Sequence, residues 1–335
     1  QRKYKEGECT LRVKGDMTSV NHVMRDSILF RISYAPHFIH KDKYCVWPLY
    51  DFENAIEDCK YGVTHVMRSI EFGKMRGEFQ NHLKDLLGYK KQIIKEYGRF
   101  TIQDAETQGR VIRGMIEKGE VTGWDDPRLV TLKALRRRGI VRETYYELVY
   151  QAGLSPAPTT IDWTILSSIN RSILDKQADR YFFVEDPAEI EIAGAPEQTV
   201  TLKRHPDLPE KGDRTFETHT LFYIAGKDNK VLKEGDLVRL MDCLNLTRTK
   251  TGFQFASLGY KDYQKKGRLI IHWLPKIPGL VSVEILMPDH HVRTGLGEPG
   301  IAELSSGTIV QFPRVGFCRL DAKEGNVYKF IFTHE

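Results

Sequence analysis

The chain has 335 residues, 41% of them hydrophobic and 28% charged, with a formal net charge of +5, a composition ordinary for a soluble globular protein of two or three cored domains. No run approaches the roughly eighteen uncharged apolar residues of a membrane-crossing helix, and the polar opening Gln1-Arg2-Lys3-Tyr4-Lys5-Glu6 has no apolar stretch behind it, so neither a membrane protein nor a secretory leader is expected. Five cysteines (Cys9, Cys45, Cys59, Cys243, Cys318), odd in number and never at metal-ligand spacing, predict reduced thiols in a cytoplasmic protein and no metal site.

Residues 1 to 105 read as mixed α/β. Leu11-Arg12-Val13-Lys14 and Ile28-Leu29-Phe30-Arg31-Ile32 alternate as strands do, and Tyr44 to Leu49 is a β-rich run halted by Pro48. Phe52, Ala55, Ile56 and Cys59 fall at helical spacing behind Asp51, a residue that can cap. Gly62 then opens a strand from Val63 to Arg68, and Phe79 to Leu87 is a second amphipathic helix.

Residues 106 to 178 read as helical. Val111, Met115 and Ile116 mark one helix, Leu129 to Arg138 a second, Glu143 to Ala152 a third and Asp162 to Leu174 a fourth, after the linker Ser155 to Thr160. The second carries its own punctuation: Asp125 or Asp126 as cap, Pro127 at the first helical position, and Gly139 for the left-handed turn that ends it. Arg136, Arg137 and Arg138 cover most of its last turn, at the dipole end that favours cations. With Lys265-Lys266-Gly267-Arg268 they concentrate the mild positive charge, which suits a polyanionic partner, although a solvated helix end is the plainer alternative.

Beyond Asp179 short strands recur with turn residues between them, from Tyr181-Phe182-Phe183-Val184 through Thr220 to Ile224 and Val281 to Leu286 to Val327-Tyr328-Lys329-Phe330-Ile331, the signature of barrels or sandwiches. Gly295-Leu296-Gly297-Glu298-Pro299-Gly300 satisfies the dinucleotide-binding glycine pattern. It lacks a βαβ setting, and Glu298 would face a pyrophosphate with negative charge, so it reads as a turn.

Several of these segments are long and rich in rare residues. Gly123-Trp124-Asp125-Asp126-Pro127-Arg128-Leu129, then Thr131-Leu132 and Ala134 to Gly139, resembles the stretch that follows the signature loop of glutamyl- and glutaminyl-tRNA synthetases of the archaeal and eukaryotic type. His205-Pro206, Pro209-Glu210, Gly212, Arg214, Ile271-His272-Trp273, Glu298-Pro299, Gly307, Gln311-Phe312, Arg314 and Gly316-Phe317-Cys318 are similar in spacing to the anticodon-binding barrels of the glutaminyl enzymes. Pro48-Leu49-Tyr50-Asp51-Phe52 and Gly62 to Arg68 resemble two segments of the amino-acid pocket.

The resemblance implies the remainder of a class I Rossmann-like catalytic domain (1–105), a helical connector (106–178) and two C-terminal anticodon-binding β-barrels (179–335). The chain then reads as a glutamyl-tRNA synthetase lacking the N-terminal part of its catalytic domain. Tyr50 would touch the substrate side chain, and Arg68 would face the γ-carboxylate of glutamate, where glutaminyl enzymes carry a neutral residue. Arg180 falls where the family places an anticodon-reading arginine. Arg128, Arg136, Arg137 and Arg138 would face the inside of the tRNA bend, with Arg239, Arg248 and Lys250 as further barrel candidates.

ATP with Mg²⁺, glutamate and tRNA(Glu) would be the substrates of a monomeric ligase. The family's His-Ile-Gly-His element is absent, and Glu106 to Val111 keeps only Arg110 of the cations expected in the second signature loop. These gaps leave a non-catalytic tRNA-binding relative as one alternative and a glutaminyl-tRNA synthetase as another. A β-barrel binder of ribosomal RNA would account for the C-terminal half only.

Overall fold

A computed structural model describes residues 3–335; Gln1 and Arg2, the start of the polar opening, lie outside the described residues. The chain divides into two compact units, one of residues 1–101 and 152–160, the other of residues 102–151 and 161–335. No helix among the described residues is long and apolar enough to cross a membrane.

In the first unit an antiparallel sheet orders Thr10–Arg12, Ile28–Ile32 and Val46–Pro48. Helix α1 (Val23–Asp26) lies between its first two strands and α2 (Tyr50–Lys60) follows it. Strand His65–Ser69 then crosses over through α3 (Gly73–Leu87) to pair in parallel with Ile93–Tyr97, a single βαβ unit. The core joins Val13, Leu29, Ala55, Phe79 and Leu83, the apolar stripes that the two helices turn inward. Asp51 does not cap α2: the cap position is Leu49 and makes no side-chain bond, and Asp51 stands in the first turn. Helix α3 starts two turns before Phe79, because a short 3₁₀ turn capped by Ser69 feeds straight into it.

The second unit carries α4 (Gly109–Glu117), α5 (Leu132–Arg138), α6 (Arg142–Ala152) and α7 (Trp163–Leu174). Helix α5 is shorter than the sequence suggests. Thr131 caps it by accepting from the Ala134 amide at 3.1 Å, while Asp126 is spent on the turn before it. There Asp126 accepts from the Thr122 and Arg128 amides, so Pro127 belongs to that turn and not to the helix. Gly139 ends α5 with φ +99°, as expected.

Two seven-stranded sheets complete this unit. The first runs Leu269–Ile271, Leu237–Leu240, Asn245–Arg248, Phe253–Ser257, Pro187–Ala193, Leu221–Ala225, Trp273–Pro275 in spatial order. Its outermost strands are separated in sequence by His272 alone, so the sheet must curl until its edges meet. The second runs Asp179–Arg180, Ile309–Phe312, Gly316–Glu324, Val327–His334, Val281–Leu286, Val292–Gly297, Phe183–Glu185. Here the two edges are joined by Tyr181 and Phe182, which again forces a nearly closed barrel and removes exposed edges. Alternation divides the aromatic run between the two interiors: Phe182 enters the first core, Tyr181 and Phe183 the second. Short helices α8 (Gly226–Val231) and α9 (Tyr260–Gln264) and a hairpin, Gln198–Lys203 with Asp213–Thr218, accompany the first barrel.

The motif residues at 205–318 are internal ties. Arg214 reaches Glu298 at 2.6 Å and lies over the Phe182 ring at 4.5 Å, and Glu298 also accepts from the Phe182 amide. Arg314 forks onto Asp228 at 2.6 and 2.8 Å. His205 contacts the Asp175 carbonyl at 2.8 Å. The glycine pattern at 295–300 ends a strand and enters a 3₁₀ turn.

Candidate functional site

Arg68 is the fourth residue of strand His65–Ser69 and its side chain is buried under α3. There Gln80, itself fully buried, accepts one Arg68 Nη1–H at 2.9 Å and passes its own amide to Asp51 Oδ1 at 3.1 Å. The other Asp51 oxygen takes Arg76 at 2.7 Å. The chain Arg68–Gln80–Asp51–Arg76 thus fixes the guanidinium while leaving its Nε and Nη2 without a hydrogen-bond partner among the described residues. Nε and Nη2 form the coplanar edge through which a guanidinium binds an anion bidentately, and both atoms are buried.

Lys84 lies one turn beyond Gln80, is as deeply buried, and its Nζ is also unpartnered. Burial depresses its pKa, the Arg68 charge adds to that, and the Cys59 and Asp58 side oppose it. Sequence reading missed Gln80 and Lys84. Their signal was present: two polar residues at helical spacing on the stripe of Gly77, Phe79 and Leu83.

Tyr50, at the start of α2, adjoins Asp51 in sequence but is exposed and stacked on Phe72 with ring centroids 5.5 Å apart. Its sequence neighbour Asp51 joins the Arg68 network through its side chain, and no hydrogen bond or ring contact links Tyr50 to Arg68 among the described residues.

In the second unit the arginines of α5 separate. Arg136 is exposed and unpaired among the described residues. Arg137 forks onto Asp321 at 3.1 and 2.7 Å, tying α5 to the second barrel. Arg138 turns inward with its guanidinium 4.0 Å from the Trp163 ring, and burial holds its pKa down at about 10. Of the three, only Arg136 presents a free charge to solvent. Arg128 is committed to Asp126 through two bonds of 2.9 and 2.8 Å, which hold the Asp126 carboxyl well below the usual carboxylate range. A notch of about 760 Å³ between α5 and the second barrel is lined by Lys133, Arg136, Arg137 and Arg319 against Asp125 and Asp321.

Arg180 lines a cleft of about 780 Å³ with Arg171, Lys203, Arg214 and Asp242; it reaches Asp175 at 3.4 Å and its Nε is buried and unpartnered. The neighbouring aromatics Tyr181, Phe182 and Phe183 are all core and offer no open face for stacking. Arg239 is buried, giving Nη1 to Asn245 at 3.0 Å and to the Leu258 carbonyl at 3.1 Å. It is a structural tie and not a rim charge. Arg248 lies 4.5 Å from the Phe253 ring at a separate cleft, Lys250 is exposed nearby, and Arg268 pairs with Asp236. Arg110 is exposed in the first turn of α4, unpaired among the described residues. No group of three His, Cys, Asp or Glu among the described residues could hold a metal ion.

Residues 1–176 match the family described as tRNA synthetases class I (E and Q), catalytic domain. Residues 178–257 and 270–321 match two anti-codon binding domains of the same class. Among curated proteins the chain is 38% identical over 342 residues to a glutamate–tRNA ligase of Pyrococcus abyssi, covering 99% of the chain and 59% of that protein. It is 38% identical over 338 residues to the glutamate–tRNA ligase of Korarchaeum cryptofilum (99% and 58%) and 34% over 328 residues to that of Methanocaldococcus jannaschii (97% and 58%). The chain therefore spans somewhat under two thirds of the length of these relatives. A family match across more than half of the sequence, with two nearly closed barrels where anticodon-binding domains are matched, places this chain among the class I tRNA synthetases of the E and Q group.

Proposed function

We propose that the protein is a glutamate–tRNA ligase, activating glutamate with ATP and transferring it to the 3′ end of tRNA(Glu). The observation that carries the reading is Arg68: buried, oriented by Gln80, and with Nε and Nη2 unused. A γ-carboxylate satisfies both donors and the charge, whereas the amide of glutamine supplies one acceptor and no charge. Tyr50 is assigned to the same pocket, beside the network that starts at Asp51. The βαβ unit of residues 65–97 is read as part of a Rossmann-like core, and α4 to α7 as the connector between it and the barrels.

Arg110 is the cation proposed for the nucleotide phosphates. Mg²⁺ would arrive with ATP, and no described residue is assigned to it. Arg136 would meet the phosphate backbone inside the tRNA bend. Arg180, in the cleft with Arg171 and Lys203, would meet an anticodon base through its unpaired edge. Because Tyr181 to Phe183 are covered, recognition there rests on hydrogen bonds and charge, not on stacking.

The test uses the full-length gene product. Replacing Arg68 by Ala removes a charge-assisted pair worth about 2 kcal/mol, so the KM for glutamate rises roughly 30-fold with the KM for tRNA unchanged. An unchanged KM for glutamate refutes the assignment.

A further inference from the structure

We propose that Lys84 is a second, unpaired cation of the Arg68 site, a positioning residue that acts through the field it exerts beside Arg68 and makes the site select a carboxylate over a neutral amide. The inference rests on the glutamate reading above and deepens it. Gln80 and Lys84 are four residues apart on α3, so their side chains share one face of the helix, the face whose Gln80 holds Arg68. Lys84 is 1% exposed and Arg68 6% exposed, and neither makes an ion pair among the described residues.

The acids around them do not discharge the pair. Asp51 is engaged by Arg76 at 2.7 Å. Glu96 stands opposite Arg68 in the parallel register but makes no ion pair among the described residues. The Asp58 charge acts on Lys84 and raises its pKa, but the two form no ion pair among the described residues, and Asp58 Oδ2 is buried and unpartnered there. Two like charges removed from water side by side destabilise the ligand-free state unless something negative joins them. Substrate can be that something. A structural lysine at this depth is normally hydrogen-bonded to its carboxylate; Lys84 makes no such bond among the described residues, Asp58 acting on it through charge alone. Lys84 therefore raises the field that an incoming γ-carboxylate meets without needing to touch it.

The experiment compares Lys84→Met, Lys84→Arg and Arg68→Ala in the full-length gene product, measuring kcat and KM for glutamate, competition by glutamine, and thermal unfolding without substrate. Lys84→Met should raise the KM for glutamate about tenfold, relieve the discrimination against glutamine by a similar factor and leave kcat within about twofold, while Lys84→Arg restores most of the loss. Its melting temperature should stay level or rise, since a buried unpaired charge has been removed. A fall in melting temperature with the KM for glutamate unchanged would make Lys84 a structural partner of Asp58 and overturn the proposal. If Arg68→Ala is damaging while Lys84→Met changes neither KM nor selectivity, this inference fails alone. If Arg68→Ala is also silent, the glutamate reading itself falls.

Discussion

Asn170 offers the sharpest test of how the helices of the second unit are held. Its side chain is fully buried and every capacity it has is used. Oδ1 accepts from the Val141 amide at 3.0 Å and the Thr144 hydroxyl at 2.7 Å, and Nδ2 donates to the Gly139 carbonyl at 3.2 Å and meets His334 Nε2 at 2.8 Å. One amide thus binds the end of α5, the start of α6, its own helix α7 and the last strand of the second barrel. Burial keeps His334 neutral by lowering its pKa, which leaves Nε2 free to accept. Replacing Asn170 by Ala strands four partners, at about 1 kcal/mol each, so the loss should be about 4 kcal/mol; Thr144→Val, which removes one bond, should cost about 1 kcal/mol. Urea unfolding of the two single variants and the double variant gives both losses and their coupling, expected near 1 kcal/mol because the second deletion finds its partner already gone. A loss below about 1 kcal/mol for Asn170→Ala, or coupling indistinguishable from zero, would refute the claim that this amide is the hub.

Three further outcomes follow from the same contacts. Gly139→Ala should destabilise by at least about 2 kcal/mol in the same unfolding assay, since the backbone sits at φ +99° and a Cβ would meet Thr333 Oγ1 at 2.6 Å; wild-type stability would contradict this. Arg136→Ala should leave stability within about 0.5 kcal/mol and lower the slope of log K against log salt for tRNA by about 1, whereas Arg138→Ala should cost about 2 kcal/mol through the lost Trp163 stack; the reverse assignment would show that the wrong arginine faces the RNA. Burial lowers the His272 pKa from 6.5 to about 4 and lifts that of Glu298 from 4.5 to about 7. The folded state therefore binds its His272 proton more weakly and its Glu298 proton more tightly than the unfolded chain. The histidine's contribution is fully present above pH 6.5 and lost as pH falls toward 4. The acid's contribution is fully present below pH 4.5 and lost as pH rises through 7. The two are each of order 3 kcal/mol and oppose one another, so wild-type stability should be nearly flat from pH 4.5 to 6.5 while Glu298→Gln exposes a rise with pH; a variant profile as flat as the wild type would count against the buried histidine.

Which residues form elements was largely written in local pattern, because burial on one face imposes a period that any helix or strand must keep. Trp163–Leu174 behind Asp162 and Ile28–Ile32 are legible for that reason, and so is the stop at Gly139, where a left-handed backbone favours one residue type. Asp126 shows where local pattern fails. Acid followed by proline is a good helix start, but the preceding Thr122 and following Arg128 offered that carboxylate more bonds than a helix N-terminus would, and Thr131 took the cap instead. Asn245–Arg248 escaped notice because Asn245 looks exposed until the barrel closes around it, and Asp213–Thr218 because only Phe216 and Thr218 of that hairpin strand are buried. The same distinction governs the site. Arg68 could be singled out through its flanking motif, but what orients its guanidinium is Gln80, twelve residues on, and that pairing exists only once α3 crosses back over its strand. Three consecutive arginines look like one basic patch in a string. Folding gives one to a barrel carboxylate, one to an indole and one to solvent, because a helix turns about 100° per residue and each neighbour meets a different environment. Charge that will meet a ligand is therefore the charge left over after internal pairing, and that remainder follows from tertiary contacts alone.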